Sequence, residues 1–312
     1  MSNRVLEGFL GLCVGDALGV PVEFVSRDQL LKLPVTNMTG FGTHNQPPGT
    51  WSDDSSLSFC LAESLCNGFD IVDISQRFVR WYVDGYWTPH GIVFDIGNAT
   101  LQAINRIISG CKPEDAGGKT DGDNGNGSLM RILPLAYYLL RFDDIETRMK
   151  IVHDVSAITH GHIRSKMACV LFIELAISIL KGKNKIEAYN DVIKQFESIY
   201  SYDLYTTELI HFKNIISGKI DNLERYKISS SGYVIHTLEA SIWCLLNSGD
   251  YKEAVLKAVN LGDDTDTTAA VTGGLAGIYY GMGSIPKEWI DVLARKDDIF
   301  ALCERFAKNM NT

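Results

Sequence analysis

Val5-Leu6-Glu7-Gly8-Phe9-Leu10-Gly11-Leu12-Cys13-Val14-Gly15-Asp16-Ala17-Leu18-Gly19 is the stretch from which the fold is read. Apolar residues lie nearly all round a helix drawn through it, which predicts a helix buried on several sides. Gly8, Gly11, Gly15 and Gly19 recur at three- and four-residue spacing and form one bare strip. Each mid-helix glycine costs roughly 1 kcal/mol against alanine, so close approach of another helix is the expected compensation. Asp16, set in this apolar surface, needs a hydrogen-bonding partner.

Outward from this stretch the pattern stays helical. A three-to-four-residue apolar period runs through Leu57–Leu65, Leu101–Ile108, Leu129–Leu140, Arg148–Thr159, Ser165–Leu180, Ile186–Tyr200 and Leu204–Ile216. It continues through Val234–Leu246, Tyr251–Asn260, Thr267–Tyr280 and Lys287–Met310. No β-branched alternation is long enough for a sheet, so the predicted fold class is all-α. Without a repeat or a linker, residues 1–312 read as one domain. Irregular loops are expected at Pro34–Thr50, Tyr86–Ile92, Lys112–Gly127 and Lys219–Gly232, where Gly, Pro, Asn, Asp and Ser gather.

The 312 residues are 46% hydrophobic and 21% charged, an ordinary globular balance that excludes a disordered or fibrous chain. A net charge of −9 argues against an extended nucleic-acid-binding face and against anionic membranes. It also means that local donors or bound cations must hold any phosphate-bearing ligand. Met1–Arg4 leads straight into a patterned helix, so no secretory leader is expected, and Met167–Leu180 is too short to span a bilayer. The seven cysteines are scattered without a C-x-x-C pair and read as free thiols in a reducing, cytoplasmic setting.

Two acidic clusters stand at helix entries. One is Trp51-Ser52-Asp53-Asp54-Ser55 and the other Gly262-Asp263-Asp264-Thr265-Asp266-Thr267. Asp, Ser and Thr are good N-caps, but a cap needs one oxygen, and crowded carboxylates repel one another unless a cation neutralises them. These are hard oxygen ligands, suited to Mg²⁺ or Mn²⁺ rather than zinc. Two such clusters point to a binuclear site between facing helix ends. The glycine-rich run from Asp121 to Arg131 can offer backbone N–H groups to a phosphate. Thr159-His160-Gly161-His162 reads either as a helix end or as ligand-facing imidazoles, without a third ligand nearby for zinc. Asp95 reads as a cap for a following helix or as a carboxylate at the mouth of a site.

Taken together, these stretches resemble the ADP-ribosylglycohydrolase family, of the dinitrogenase-reductase-activating type. The resemblance is carried by Gly15-Asp16-Ala17-Leu18-Gly19 with Glu23, by Ser52-Asp53-Asp54-Ser55 and by Asp95-Ile96-Gly97-Asn98. It continues through Gly125–Arg131, Thr159–His162, Ser231–Val234 and Gly262–Thr267. It implies an all-α fold with two divalent cations, Mg²⁺ or Mn²⁺, at one end of the helices. It further implies hydrolysis of an N-glycosidic bond between ADP-ribose and a modified acceptor, protein or small molecule. Ser52, Asp53, Asp54, Asp264, Asp266 and Thr267 are then the expected metal ligands. Glu23, Asp95 and Asp264 become the expected catalytic groups, with Asp95 facing an arginine acceptor. Gly125, Asn126, Gly127 and Ser128 would take the pyrophosphate, His160 or His162 the ribose, and Tyr233 the adenine, with Met130 also among the substrate-binding residues. Asp263 departs from the family, where glycine is frequent at that position.

A terpenoid synthase would share helices and aspartate-rich magnesium sites, but Leu57 stands where it needs a third carboxylate and Lys194 where it needs a serine. The remaining alternatives are a non-catalytic ADP-ribose binder, a crystallin-like structural protein, or a hydrolase of serine-linked or O-acetyl-ADP-ribose. Intact ligand clusters argue against the two that need no metal.

Overall fold

A computed structural model of the protein describes residues 2–202 and 205–310. Helices dominate it, and no strand is present among the described residues beyond isolated bridges such as Gly125–Tyr233. The predicted all-α class holds.

The first helix, Ser2–Gly19, is the axis of the fold. The segment Asn3–Val22 is long and apolar enough to cross a membrane, yet 83% of its most apolar window is buried by the rest of the protein. Three glycines of its strip do what the spacing predicts, while a Cβ on the fourth, Gly8, would meet the Tyr137 hydroxyl at 2.1 Å. A Cβ on Gly11 would lie 2.3 Å from the Gly273 carbonyl oxygen, and one on Gly273 would lie 2.2 Å from that of Gly11. Gly15 would meet the Ala269 oxygen at 2.1 Å and Gly19 the Asp266 Cα at 2.3 Å. The partner is the helix Thr265–Tyr280, and backbone-to-backbone packing leaves no room for side chains between the two. This contact also positions the second acidic cluster. The Thr265 hydroxyl donates to the Gly19 carbonyl at 2.8 Å and so ties the start of one helix to the end of the other.

Asp16 finds its partners in the first acidic cluster. It accepts from the Ser52 amide at 2.9 Å, the Ser55 amide at 3.0 Å and the Ser55 hydroxyl at 2.6 Å. These amides lie at the entry of the helix Asp53–Leu65, where N–H groups lack partners within the helix. Burial pushes the Asp16 carboxyl up to about 6 against these hydrogen bonds. Both clusters are therefore pinned to one end of the first helix.

Several boundaries depart from the periodicity. The run Leu129–Leu140 is helical only over Pro134–Leu139, with Pro134 in the first turn, where its missing N–H costs nothing. Lys287–Met310 divides into Lys287–Asp291 and Lys296–Met310. In the break, the Ala294 amide donates to Gly49 at 3.0 Å, the Trp51 indole donates to the Ala294 carbonyl at 3.0 Å, and Arg295 takes a φ of +52°. Within Leu204–Ile216, Leu204 lies outside the described residues and the rest forms the short pieces Thr206–Leu209, Ile210–Phe212 and Lys213–Ile216. The expected loop Lys112–Gly127 holds a helical turn, Pro113–Ala116. A helix not anticipated is Ile71–Asp84, although Asp70 caps its start and Gly85, at φ +66°, ends it. Arg27–Lys32 was equally signalled, by the Ser26–Gln29 capping box.

All seven cysteines are free; Cys66 and Cys111 are half-buried and the others buried.

Candidate active site

Where these helix ends meet, a cavity of about 430 Å³ opens, a size suited to a small ligand. Of the expected site residues, Glu23, Asp53, Asp95, Gly125, Asn126, Gly127, Met130, His160, Asp264 and Thr267 line it. Ser52, Asp54 and Asp266 are buried behind that lining.

The two acidic clusters converge. Thr267 Oγ1 donates to Asp54 Oδ2 at 3.2 Å across 213 residues of sequence, and Ser52 Oγ donates to the same oxygen at 3.1 Å. Glu23, Asp264 and Asp266 each place a carboxylate oxygen within 4.8 Å of the others. Capping does not account for this crowd. Ser52 does cap, accepting from the Asp54 amide, but Asp264 at the corresponding position makes no side-chain cap. Its Oδ2 instead accepts from Asn126 Nδ2 at 2.9 Å. Asp54 Oδ1, Asp264 Oδ1 and Asp266 Oδ2 are buried with no hydrogen-bond partner among the described residues. A buried carboxylate oxygen without a partner is strongly unfavourable, and oxygens of this kind are candidate ligands for hard cations. Burial, followed by mutual repulsion, pushes Asp53, Asp54 and Asp266 well above the usual carboxylate range.

Asp263, the departure from the family pattern, is exposed and sits at φ +59°, a conformation glycine adopts freely and aspartate tolerates. Its backbone accepts from the Phe24 amide at 2.7 Å and donates to the Val25 carbonyl at 3.0 Å, joining the Glu23 turn to the second cluster.

Asp95 caps nothing: its helix begins at Asn98 with Gly97 as the N-cap. It lines the cavity with Glu23, and both place a polar atom within 4.8 Å of one on His44, a residue the sequence pattern did not single out. Burial raises the Glu23 carboxyl to about 7 against its hydrogen bond to His44, with Asp95 and Asp264 adding repulsion.

The glycine loop is held from three sides. The Asn126 amide donates to Gly232 at 3.0 Å, so it is not free for a phosphate. Arg131, fully buried, donates to the Gly127 carbonyl and, at 3.2 Å, to that of Val155. His160 lies beneath the loop, where burial and then the Arg131 charge lower it to about 3, so its imidazole is neutral. A Cβ on Gly127 would stand 2.8 Å from His160 Cε1 and 3.0 Å from Thr100 Oγ1. Gly127→Val is therefore expected to displace His160 and weaken binding of free ADP-ribose about tenfold or more, while divalent-cation binding persists. Calorimetry with each ligand checks this, and unchanged ADP-ribose affinity would reduce the loop to a turn.

Besides Ser52, Asp54 and Asp266, three more expected residues are not part of the cavity lining. Ser128 is fully buried, with its hydroxyl 3.0 Å from Ser156 Oγ. His162 caps the helix Ile163–Leu180 by accepting from the Arg164 amide at 3.2 Å, and its Nε2 lies 3.7 Å from Asp121. Tyr233 stands beside Arg164, whose guanidinium lies 5.9 Å from the ring centroid, and 3.4 Å from His211. Gly161, between His160 and His162, is packed so tightly that a Cβ there would lie 2.8 Å from the Gly117 carbonyl oxygen.

The sequence model of the ADP-ribosylglycohydrolase family matches residues 1–312. The Serratia proteamaculans ADP-ribosylarginine hydrolase Tri1 is 32% identical over 312 residues, covering 97% of this chain and 78% of that protein. The Rhodospirillum rubrum ADP-ribosyl-[dinitrogen reductase] glycohydrolase is 30% identical, covering 95% and 92%. A solved structure described as an ADP-ribosylglycohydrolase-related protein complex superposes with a TM-score of 0.83 at 32% identity, covering 99% of this chain and 98% of that one.

Proposed function

This chain belongs to the ADP-ribosylglycohydrolase family, and we propose that it releases ADP-ribose from arginine side chains of a modified protein with the help of two divalent cations, Mg²⁺ or Mn²⁺. The observation that carries the reading is the set of three buried, unpartnered carboxylate oxygens of Asp54, Asp264 and Asp266. Their chemistry fits hard cations. Ser52, Asp53 and Thr267 complete the oxygen set that would hold them. When bound, the cations supply positive charge for the ribose hydroxyls and a water of lowered pKa.

The chain's own residues do the rest. The backbone around Gly125 and Gly127 receives the pyrophosphate, and neutral His160 offers a hydrogen bond to the sugar. Asp95 meets the positively charged guanidinium of the acceptor in a charge-assisted contact. Glu23, held close to neutrality, carries a proton between the attacking water and the departing guanidine nitrogen. The glycosidic carbon–nitrogen bond breaks as the carbon–oxygen bond forms, leaving ADP-ribose and unmodified arginine. The family match over the whole chain and a core running without interruption from Val5 to Met310 support one catalytic domain. A reducing, cytoplasmic setting is part of the same reading.

The test is release of free ADP-ribose from arginine-linked, serine-linked and O-acetyl substrates, with chelator and with each cation restored. Release from the arginine linkage that stops on chelation is expected. No release from any substrate would leave a binder, and chelator-insensitive release would end the metal reading. Asp95→Ala is expected to lower kcat/KM for the arginine-linked substrate by about 10- to 100-fold, the worth of one charged hydrogen bond. Free ADP-ribose, which lacks the guanidinium, should bind with nearly unchanged affinity. Equal losses in both would make Asp95 structural.

A further inference from the structure

The segment 40–46 is laid across the turn 20–24 as a strap, and its backbone is unusual. Gly42 sits at φ +52°, and a Cβ there would lie 1.8 Å from the Pro21 carbonyl oxygen, so no larger residue allows this approach. Thr43 Oγ1 donates to the Glu23 carbonyl at 2.7 Å, and Phe41 pairs with Gln46 across the strap. Phe24, Phe41 and Asn45 all adopt positive φ, at 64°, 67° and 51°. For a phenylalanine this is an unfavourable conformation that the surroundings must impose.

The strap delivers one functional side chain, that of His44. Its Nε2 is hydrogen-bonded to Glu23 Oε2. The ring lies between two aromatics, 6.3 Å from Phe24 and 5.3 Å from Phe94. Glu23, His44 and Asp95 bring their polar atoms within 4.8 Å of one another. Glu23 thus faces two like-charged neighbours, Asp95 and Asp264, and the imidazole is the side-chain donor that bonds its carboxylate.

We propose that His44 is the positioning residue of Glu23, fixing the direction in which that carboxylate faces the cavity. The inference rests on the hydrolase reading above, in which Glu23 carries the proton. A freed Glu23 carboxylate would be driven toward solvent by Asp95 and Asp264, and misplacement of a proton carrier by about 1 Å can cost about 100-fold in rate.

His44→Ala is expected to lower kcat for arginine-linked substrate by about 10- to 100-fold, with affinity for free ADP-ribose within about twofold of wild type. His44→Gln keeps an N–H donor at nearly the same reach as Nε2 and should recover kcat to within about threefold of wild type. In a Glu23→Gln background, His44→Ala should cause little further loss, since the two act as one unit. Glutamine failing to rescue, or losses that multiply in the double variant, would overturn the proposal. Crystal structures of both single variants test it without turnover. The Glu23 carboxylate should leave its place in His44→Ala and keep it in His44→Gln; an unmoved carboxylate in the alanine variant would refute the role. A wild type that releases no ADP-ribose would sink the hydrolase reading instead, and the crystallographic comparison would still decide the role of His44.

Discussion

Asp264→Asn is expected to reduce turnover by more than about 100-fold, beyond the 10- to 100-fold typical of residues that only support a ligand, and to blunt stabilisation by Mg²⁺ or Mn²⁺. The substitution isolates charge from shape. Asparagine is a good N-cap, so a capping role would survive it. The structure removes even that ambiguity, because Asp264 occupies the N-cap position without making a side-chain cap. What the carboxylate does is accept from Asn126 through Oδ2 while Oδ1 stays buried and unpartnered. An amide keeps the first contact and removes the negative charge from the second. Normal activity with an unaltered metal-dependent melting shift would exclude Asp264 as a ligand and dismantle the binuclear proposal.

Stability should depend on pH in a direction opposite to that of most acidic proteins. Protein kept in chelator is expected to melt higher at pH 5 than at pH 7.5. Asp53, Asp54, Asp95, Asp264 and Asp266 are all raised, burial first, Asp16 to about 6 and Glu23 to about 7. A carboxyl raised in the folded state binds more protons folded than unfolded throughout the interval between its two values. Stability is therefore greatest near the unfolded values, about 4, and falls as pH climbs through the folded ones. Cations at pH 7.5 replace the missing protons. At about 100 times their dissociation constant they add about 2.7 kcal/mol, a rise of roughly 3–5 °C for a chain of this size. At pH 5 the same addition should give a smaller rise, because protons compete for the oxygens. Scanning calorimetry in chelator, Mg²⁺ and Mn²⁺ at both values checks this. Melting that rises with pH in chelator would contradict the carboxylate crowding.

The buried first helix, its glycine contact and the need of Asp16 for a partner were all legible in residues 5–19, and the helical class in the apolar period along the rest of the chain. Each follows from local periodicity and the size of a side chain. The acidic clusters were legible as ligand sets because more oxygens gather there than a helix entry can use. Local pattern reports which face of an element is apolar, and it is silent on which distant element that face meets. Only tertiary packing could decide that Asn126 hands its amide to Asp264, 138 residues on, or that Ser128 turns into the core. His160 and His162 are chemically alike and two residues apart, yet one lies under the glycine loop and the other caps a helix. His44 lies in a stretch of Gly, Pro, Asn and Thr with no periodicity at all. Its contact with Glu23 exists because residues at positive φ bend the strap 40–46 over the turn 20–24, a backbone path that composition marks as irregular but does not aim.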